Sequence, residues 1–238
     1  MRIRVMTYNV QSGKNLAGDR DIQHAIRTIR QENPDILGLN EVQHRTRLCP
    51  DGCCQAEVLA EALGYPFFYF GRSIDFLDGQ YGNALLSRFP IRTAEVLAIP
   101  DIPEKERDGW FEPRTHLCCT LDLGGGQLIR SLNTHYGLSD GEIRSAVQKT
   151  VELTGQETLP LLFMGDLNAE PDSPLLQPLF SLMTDTASKA EGGVLTWPSN
   201  QPVKKIDYLF QRGFGTLRAW VPDSQDSDHR PFCAELEL

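Results

Sequence analysis

Apolar residues recur along this chain with two different periods, and the switches between them mark its elements. Residues 3–8 alternate weakly and read as a strand, ending in the polar, turn-prone Asn9-Val10-Gln11-Ser12-Gly13. Over 19–33, Ile22, Ile26 and Ile29 fall on one helical face, and Asn33-Pro34 stops that helix. Residues 35–39 predict a second strand, which ends in Asn40-Glu41. A short helix over 55–63 is closed by Gly64. Stretches 66–70, 83–87 and 93–99 read as strands, and 100–114 as a charged loop carrying Trp110 and Phe111. Residues 115–123 and 127–135 pair as a hairpin about Gly124-Gly125-Gly126. Ser139 and Glu142 stand at capping-box spacing, opening a helix with Ile143, Val147 and Val151 on one face. A buried strand over 159–163, a helix over 174–183, a loop over 185–204 and strands at 206–211, 216–221 and 232–238 complete the chain. No linker, repeat or low-complexity stretch interrupts it. The expectation is one domain over 1–238, of α/β (α+β) class, with mixed sheets and flanking helices.

At 238 residues, with 40% hydrophobic and 23% charged content, the composition is that of a soluble globular protein. The net charge of −9 argues against wide, non-specific coating of nucleic acid, which depends on neutralising phosphates. Met1-Arg2-Ile3-Arg4-Val5 runs directly into a strand, with no apolar signal core and no bilayer-length apolar run later, so a cytoplasmic location without stable membrane insertion is expected. Of the six cysteines, Cys118, Cys119 and Cys233 sit in apolar strand-like segments and read as core thiols. Cys49, Cys53 and Cys54 share a loop with Pro50, Asp51 and Gly52. A zinc site or a disulfide there competes with unmodified cysteines, and no fourth zinc ligand stands at standard spacing.

The chemistry-bearing residues fall where strands end. Asn9 follows the first strand and Glu41 the second, and His135 ends the second arm of the hairpin. In Met164-Gly165-Asp166-Leu167-Asn168, Asp166 and Asn168 stand two apart at a strand end, a spacing that aims a carboxylate and an amide at one point. A capped turn between strand and helix would use the same residues. Asp207 lies inside the apolar run Ile206-Asp207-Tyr208-Leu209-Phe210; a buried carboxylate needs a partner, and His229 is the obvious one. Each residue alone has a bland explanation, a solvated strand end or a satisfied core histidine; their joint placement does not.

Seven segments, in order and from end to end, resemble the endonuclease/exonuclease/phosphatase superfamily: Thr7-Tyr8-Asn9, Leu39-Asn40-Glu41, the run from Gly82 to Pro90, Asn133-Thr134-His135, Gly165-Asp166-Leu167-Asn168, Ile206-Asp207-Tyr208 and Ser227-Asp228-His229-Arg230-Pro231. The resemblance implies a four-layered sandwich, two mixed β-sheets packed face to face with helices outside, as in deoxyribonuclease I. It implies hydrolysis of a phosphate ester with Mg²⁺ or Mn²⁺. Glu41 matches the principal metal ligand, Asn9 stands beside it, and Asp228 matches a further carboxylate of the metal site. Asp166 and Asn168 match the pair that positions and activates the attacking water. Asp207 and His229 match a carboxylate–imidazole pair, and His135 a phosphate-contacting histidine. Arg114, in Glu112-Pro113-Arg114, matches a phosphate-contacting position, and Asn83 and Trp197 are further substrate-contact candidates. Two positions depart from the pattern. Gln11 stands where several DNA-repair members carry an acidic ligand, and Asn40 where many members have glutamine.

These residue types suit the chemistry, because a phosphate ester is already anionic and its hydrolysis rests on positioning and charge neutralisation. A hard divalent ion on oxygen ligands supplies much of that. The expected substrate is a compact phosphodiester or phosphomonoester, with no protein partner implied. A DNA endonuclease or exonuclease is the alternative, which leaves nucleic acid open as a partner, and a binding protein with a dead site is the alternative of another class. His44, Arg45 and Arg47, close after Glu41, offer a second phosphate site or a solvated loop face.

Overall fold

The computed structural model describes residues 1–49, 52–103 and 111–238, so Trp110 lies outside the described residues. In chain order the elements are β1 (Arg2–Asn9), α1 (Gln23–Glu32), β2 (Ile36–His44), α2 (Gln55–Leu63), β3 (Phe67–Phe76), β4 (Gly79–Ser87), β5 (Ile91–Ala98), β6 (Thr115–Asp122), β7 (Leu128–His135), α3 (Asp140–Gly155), β8 (Leu161–Asp166), α4 (Gln177–Leu182), β9 (Thr184–Asp185), β10 (Asp207–Arg212), β11 (Gly215–Trp220) and β12 (Phe232–Glu237). They form two six-stranded sheets, ordered β11-β12-β1-β2-β4-β3 and β5-β6-β7-β8-β10-β9. Each sheet is antiparallel except for one parallel pair, β1–β2 in the first and β7–β8 in the second. A parallel pair needs a crossover, and α1 and α3 supply the two.

Strand alternation builds the layers. Ile3 and Val5 of β1 meet Leu162 and Met164 of β8 and Leu209 of β10 in the core between the sheets. The opposite faces bury Met6, Tyr8, Leu37 and Leu39 under α1 and α2, and Leu161, Phe163, Tyr208 and Phe210 under α3 and α4. The result is the expected four-layered sandwich. The same alternation carries Asn9, Asn40, His135, Asp166 and Asp207 toward the space between the sheets, because each has the parity of the inward-facing positions on its strand. Register then gathers them: Asn9 pairs with Asn40, and Asp166 with both His135 and Asp207. This edge lies beyond the carboxyl ends of both parallel pairs, the place where open α/β sheets bind ligands.

Several boundaries differ from the sequence pattern. α1 begins at Gln23 rather than 19, because residues 14–20 close on themselves through a Lys14–Arg20 bridge. The stretch 174–183 divides into a 3₁₀ turn, Pro174–Leu176, and α4. β3 and β4 outrun 66–70 and 83–87 and meet in a hairpin, Phe76 opposite Gly79, whose polar outer half hides the strand period. The loop 185–204 holds a 3₁₀ turn, Thr186–Lys189. The Ser139–Glu142 capping box is present at the start of α3. Among the described residues no helix is long and apolar enough to cross a membrane.

Gly165 shows how tightly β7 and β8 approach. Its φ is +141°, and a Cβ there would lie 1.8 Å from the Thr134 carbonyl oxygen. The obstacle is backbone, so it can yield only by parting the strands that hold His135 and Asp166. Gly165→Ala is therefore expected to destabilise the fold by about 4 kcal/mol or more. Urea unfolding checks this; a loss under about 1 kcal/mol would show that the strands part freely.

Candidate functional site

Five strands contribute to one buried polar cluster, and its hub is a single oxygen, Asp166 Oδ2. It lies 3.1 Å from Asn9 Nδ2, 3.5 Å from His135 Nε2 and 3.6 Å from His229 Nε2. Asp166 Oδ1 accepts from the Asn168 amide at 3.0 Å. The hub is only 1% exposed. Asn9 also donates to Glu41 Oε1 at 3.0 Å, so one amide ties the two carboxylates together. Glu41 sits at a break in the β2–β4 register between Leu39 and Val42, with φ +60°. The bulge re-aims its side chain into the cleft. Behind the hub, Asn40 Oδ1 accepts from the Asp166 amide at 3.1 Å while Asn40 Nδ2 donates to Thr134 O and Asn83 Oδ1 at 2.8 Å each. That one side chain locks the two sheets together at the site.

The two histidines differ in protonation: one is neutral, the other charged. Arg114 Nη1 lies 2.8 Å from His135 Nδ1, and an arginine can only donate, so Nδ1 accepts and Nε2 holds the proton facing Asp166. Burial, then Arg114 and His229, push the His135 pKa well below its ordinary value, leaving that ring neutral. His229 Nδ1 lies 2.9 Å from Asp207 Oδ2. Burial works against its charge, but Asp207 and then Asp166 outweigh it and raise its pKa to about 10, so His229 is an imidazolium. Asp166 is raised, chiefly by burial, with His229 opposing and Asp207 reinforcing the rise.

Arg114 also pairs with Glu112 Oε1 at 2.9 Å. Tyr81 is hydrogen-bonded to the Glu41 side chain, and burial, then Glu41 and Glu112, hold its phenol protonated. Tyr81 escapes the sequence reading, which names Glu112 and Asn40 only as motif neighbours of Arg114 and Glu41. Tyr81 shares the strand face of Asn83, two positions on, and Glu112 stands two before Arg114, which are the signals that point to them.

The other sequence candidates separate. Asp228 is half-buried, and Ser227 Oγ lies 3.2 Å from its Oδ1 and 2.8 Å from the Asn9 carbonyl, linking it to the cluster. Asn168 is present, but not by strand alternation. β8 ends at Asp166, Asn168 has φ +50°, and its amide group donates to Tyr136 O at 3.0 Å. Asn83 is 2% exposed, with its amide engaged by Asn40 and by Thr115 O, which places it behind the site. Trp197 lies at the base of the 197–204 turn, with the Lys204 ammonium 5.8 Å from its ring centre. The neighbouring Thr196 Oγ1 accepts from the Asp207 amide at 3.4 Å. Arg45 and Arg47 are exposed, and His44 stacks on Phe70 at 5.0 Å. All six cysteines are free; Cys49 and Cys54 are buried, with Cys54 at the start of α2.

The donor set suits a hard divalent cation. It offers carboxylate and amide oxygens and no thiolate. Asp207 Oδ1 is buried with no hydrogen-bond donor, and Glu41 lines an open cavity of about 230 Å³. Asp166, Asp207 and His229 have ligand atoms within 4.8 Å of one another. His229 is nevertheless a poor ligand, because its ring is protonated between two carboxylates and has no lone pair to give. Glu41, which lines the cavity and accepts from the buried Asn9, borders the more open space.

Residues 6–229 match the profile of the Endonuclease/Exonuclease/phosphatase family. The uncharacterized protein YbhP of Escherichia coli is 25% identical, the alignment covering 99% of this chain and 96% of that protein. An endonuclease/exonuclease/phosphatase from Beutenbergia cavernae superposes with a TM-score of 0.81 at 24% identity, covering all of this chain and 72% of the other. A mannosyl-6-phosphatase of Bacteroides thetaiotaomicron superposes with a TM-score of 0.77 at 20% identity, covering 99% of this chain and 100% of the other.

Proposed function

The chain belongs to the endonuclease/exonuclease/phosphatase family, and from that premise we propose that it hydrolyses a compact phosphate ester with the help of Mg²⁺ or Mn²⁺. The observation that carries this reading is the hub at Asp166 Oδ2, shared by a neutral histidine, a charged histidine and the amide that ties it to Glu41. A structural polar cluster has no need to hold two adjacent imidazoles in opposite protonation states. A phosphoryl-transfer site uses both.

In this reading Asn9, Glu41 and Asp228 would hold the ion. When bound, it supplies Lewis-acid polarisation of the phosphoryl oxygens and offsets the excess of carboxylate charge. Asp166 accepts a hydrogen bond from the attacking water and takes its proton. Its raised pKa makes it a better base than an ordinary carboxylate. Asn168, held by Asp166 and Tyr136, fixes the far side of that water's position. The His229 imidazolium, kept charged by Asp207, donates to the phosphoryl oxygens as negative charge gathers on them. His135 is oriented by Arg114 and offers a neutral N–H to the same phosphate. The compact substrate is supported by the net charge of −9 and by the size of the cavity beside Glu41. The structural likeness to a mannosyl-6-phosphatase supports this reading.

Release of p-nitrophenol from bis-p-nitrophenyl phosphate tests the reaction class. Turnover is expected with Mn²⁺ or Mg²⁺, falling at least 100-fold in EDTA and returning on re-addition of metal. Activity indifferent to EDTA would sink the metal-dependent reading.

A further inference from the structure

Next to Glu41 the cleft continues into a cavity of about 230 Å³. Leu48, Phe76 and Tyr81 line it, and Lys14 and Arg20 stand at its margin. The loop that carries these two cations is a built structure. Lys14 and Arg20 face each other in an antiparallel bridge, Gly18 N donates to Asn15 O, Asn15 N to Asp19 O, and the Asp21 amide to Gly13 O. Residues opposite one another in an antiparallel bridge project to the same side. The loop therefore sets an ammonium and a guanidinium side by side. Among the described residues neither has an ion-pair partner, although the chain as a whole is acidic. Several arginines elsewhere are paired, Arg4 and Arg218 with Glu235, Arg114 with Glu112 and Arg130 with Glu95, while exposed ones such as Arg45 and Arg47 are not; what sets Lys14 and Arg20 apart is that they stand opposite each other beside the cavity. Like charges held opposite one another repel, and an anion between them removes that repulsion.

We infer that Lys14 and Arg20 receive a second anionic group of the substrate, so that the substrate class is a small phosphate ester bearing another phosphate or carboxylate across one ring. This rests on the phosphoesterase reading and deepens it. The reacting phosphate sits at Glu41, Asp166 and His229. The body of the substrate lies over Tyr81 and Phe76, and its far anion reaches the 14–20 loop. The cavity is smaller than the roughly 300–1,000 Å³ that encloses a drug-sized ligand, so it admits one ring-sized portion rather than a polymer. Lysine serves as the point charge and arginine as the planar fork, a pairing suited to a terminal phosphate.

The test compares glucose 1,6-bisphosphate with glucose 1-phosphate and glucose 6-phosphate. The wild-type protein is expected to show kcat/KM at least about tenfold higher for the bisphosphate, an advantage that shrinks with added salt. In Lys14→Gln/Arg20→Gln the preference should collapse toward unity, with the loss falling on KM for the bisphosphate rather than on kcat. Lys14→Arg/Arg20→Lys, which keeps both charges, should retain most of it. Calorimetric titration of the same three sugar phosphates runs in parallel and reads the same preference as affinity. If no ester is turned over with Mn²⁺, the phosphoesterase reading fails, and the calorimetric preference alone decides the role of the cations. Equal treatment of mono- and bisphosphate by the wild type overturns the inference. So does a double glutamine variant that keeps the preference. A single-stranded decanucleotide that binds more tightly than the bisphosphate, and loses that advantage in the variant, overturns the compact substrate in favour of nucleic acid.

Discussion

His229→Ala is expected to lower Mn²⁺-dependent turnover about 10³-fold, Asp207→Asn to do nearly the same, and the double variant to lose little more than either. A thousandfold loss is about 4 kcal/mol of transition-state stabilisation, the scale on which a single well-placed donor to a developing oxyanion acts. The geometry explains why the losses should not add. Asp207 Oδ2 lies 2.9 Å from His229 Nδ1, and Asp207 is fully buried, so its effect on a phosphate passes through the imidazolium it keeps charged. Groups that act as one unit are non-additive. Stability should follow a different cycle. His229→Ala leaves the buried carboxylates of Asp166 and Asp207 facing each other without the cation between them, a change of the kind that costs about 3–5 kcal/mol. Adding Asp207→Asn removes one of the two charges and should return part of that cost. Kinetics and urea unfolding on the four proteins of the cycle check both halves. Additive kinetic losses would show that Asp207 and His229 act independently.

The fold was legible because short apolar stretches bounded by turn residues recur in order along the chain. β1, β6, β7, β10 and β12 lie where those stretches fall, and the structure shows Ile3, Val5, Ile129, Leu162 and Leu209 on their inward faces. Most of the site was legible for the same reason, since its residues occupy strand ends of inward parity. Alternation does not encode how the remaining side chains reach the cleft. Glu41 reaches the cleft through a register break at positive φ, and Asn168 through a left-handed turn beyond the end of β8. Tyr81 lies in the polar outer half of the β3–β4 hairpin, a region that reads as loop when only the strands over 66–70 and 83–87 are counted. Asn40 looks like a filler between an apolar run and a ligand, yet its amide spans both sheets. Nearness in sequence to Glu41 does not decide which cations stand beside the cavity. Arg45 and Arg47 follow Glu41 closely but do not line the cavity, whereas Lys14 and the exposed Arg20, more than twenty positions upstream, do.

Glu41→Ala is expected to weaken Mn²⁺ binding at least 100-fold and to lower turnover about 10³-fold at a fixed metal concentration. Glu41 is half-buried, lines the open cavity and accepts from Asn9 Nδ2, so its carboxylate borders the space an ion would take. Removing one anionic oxygen ligand from a hard-cation site takes away both a coordination position and a unit of charge. Stability should move the other way. Glu41 has φ +60°, a conformation that costs a side-chain-bearing residue about 1–2 kcal/mol and glycine little. Its carboxylate also stands near those of Glu112 and Asp166, which adds like-charge repulsion. Glu41→Gly is therefore expected to be inactive yet about 1 kcal/mol more stable than the wild type in metal-free buffer, because it relieves both backbone strain and carboxylate crowding. Calorimetric titration with Mn²⁺ and urea unfolding in EDTA separate the two effects. Unchanged Mn²⁺ affinity in Glu41→Ala would remove Glu41 from the metal site. A Glu41→Gly protein less stable than the wild type would show that the bulge at Glu41 is held by its side-chain hydrogen bonds rather than strained for the sake of the site.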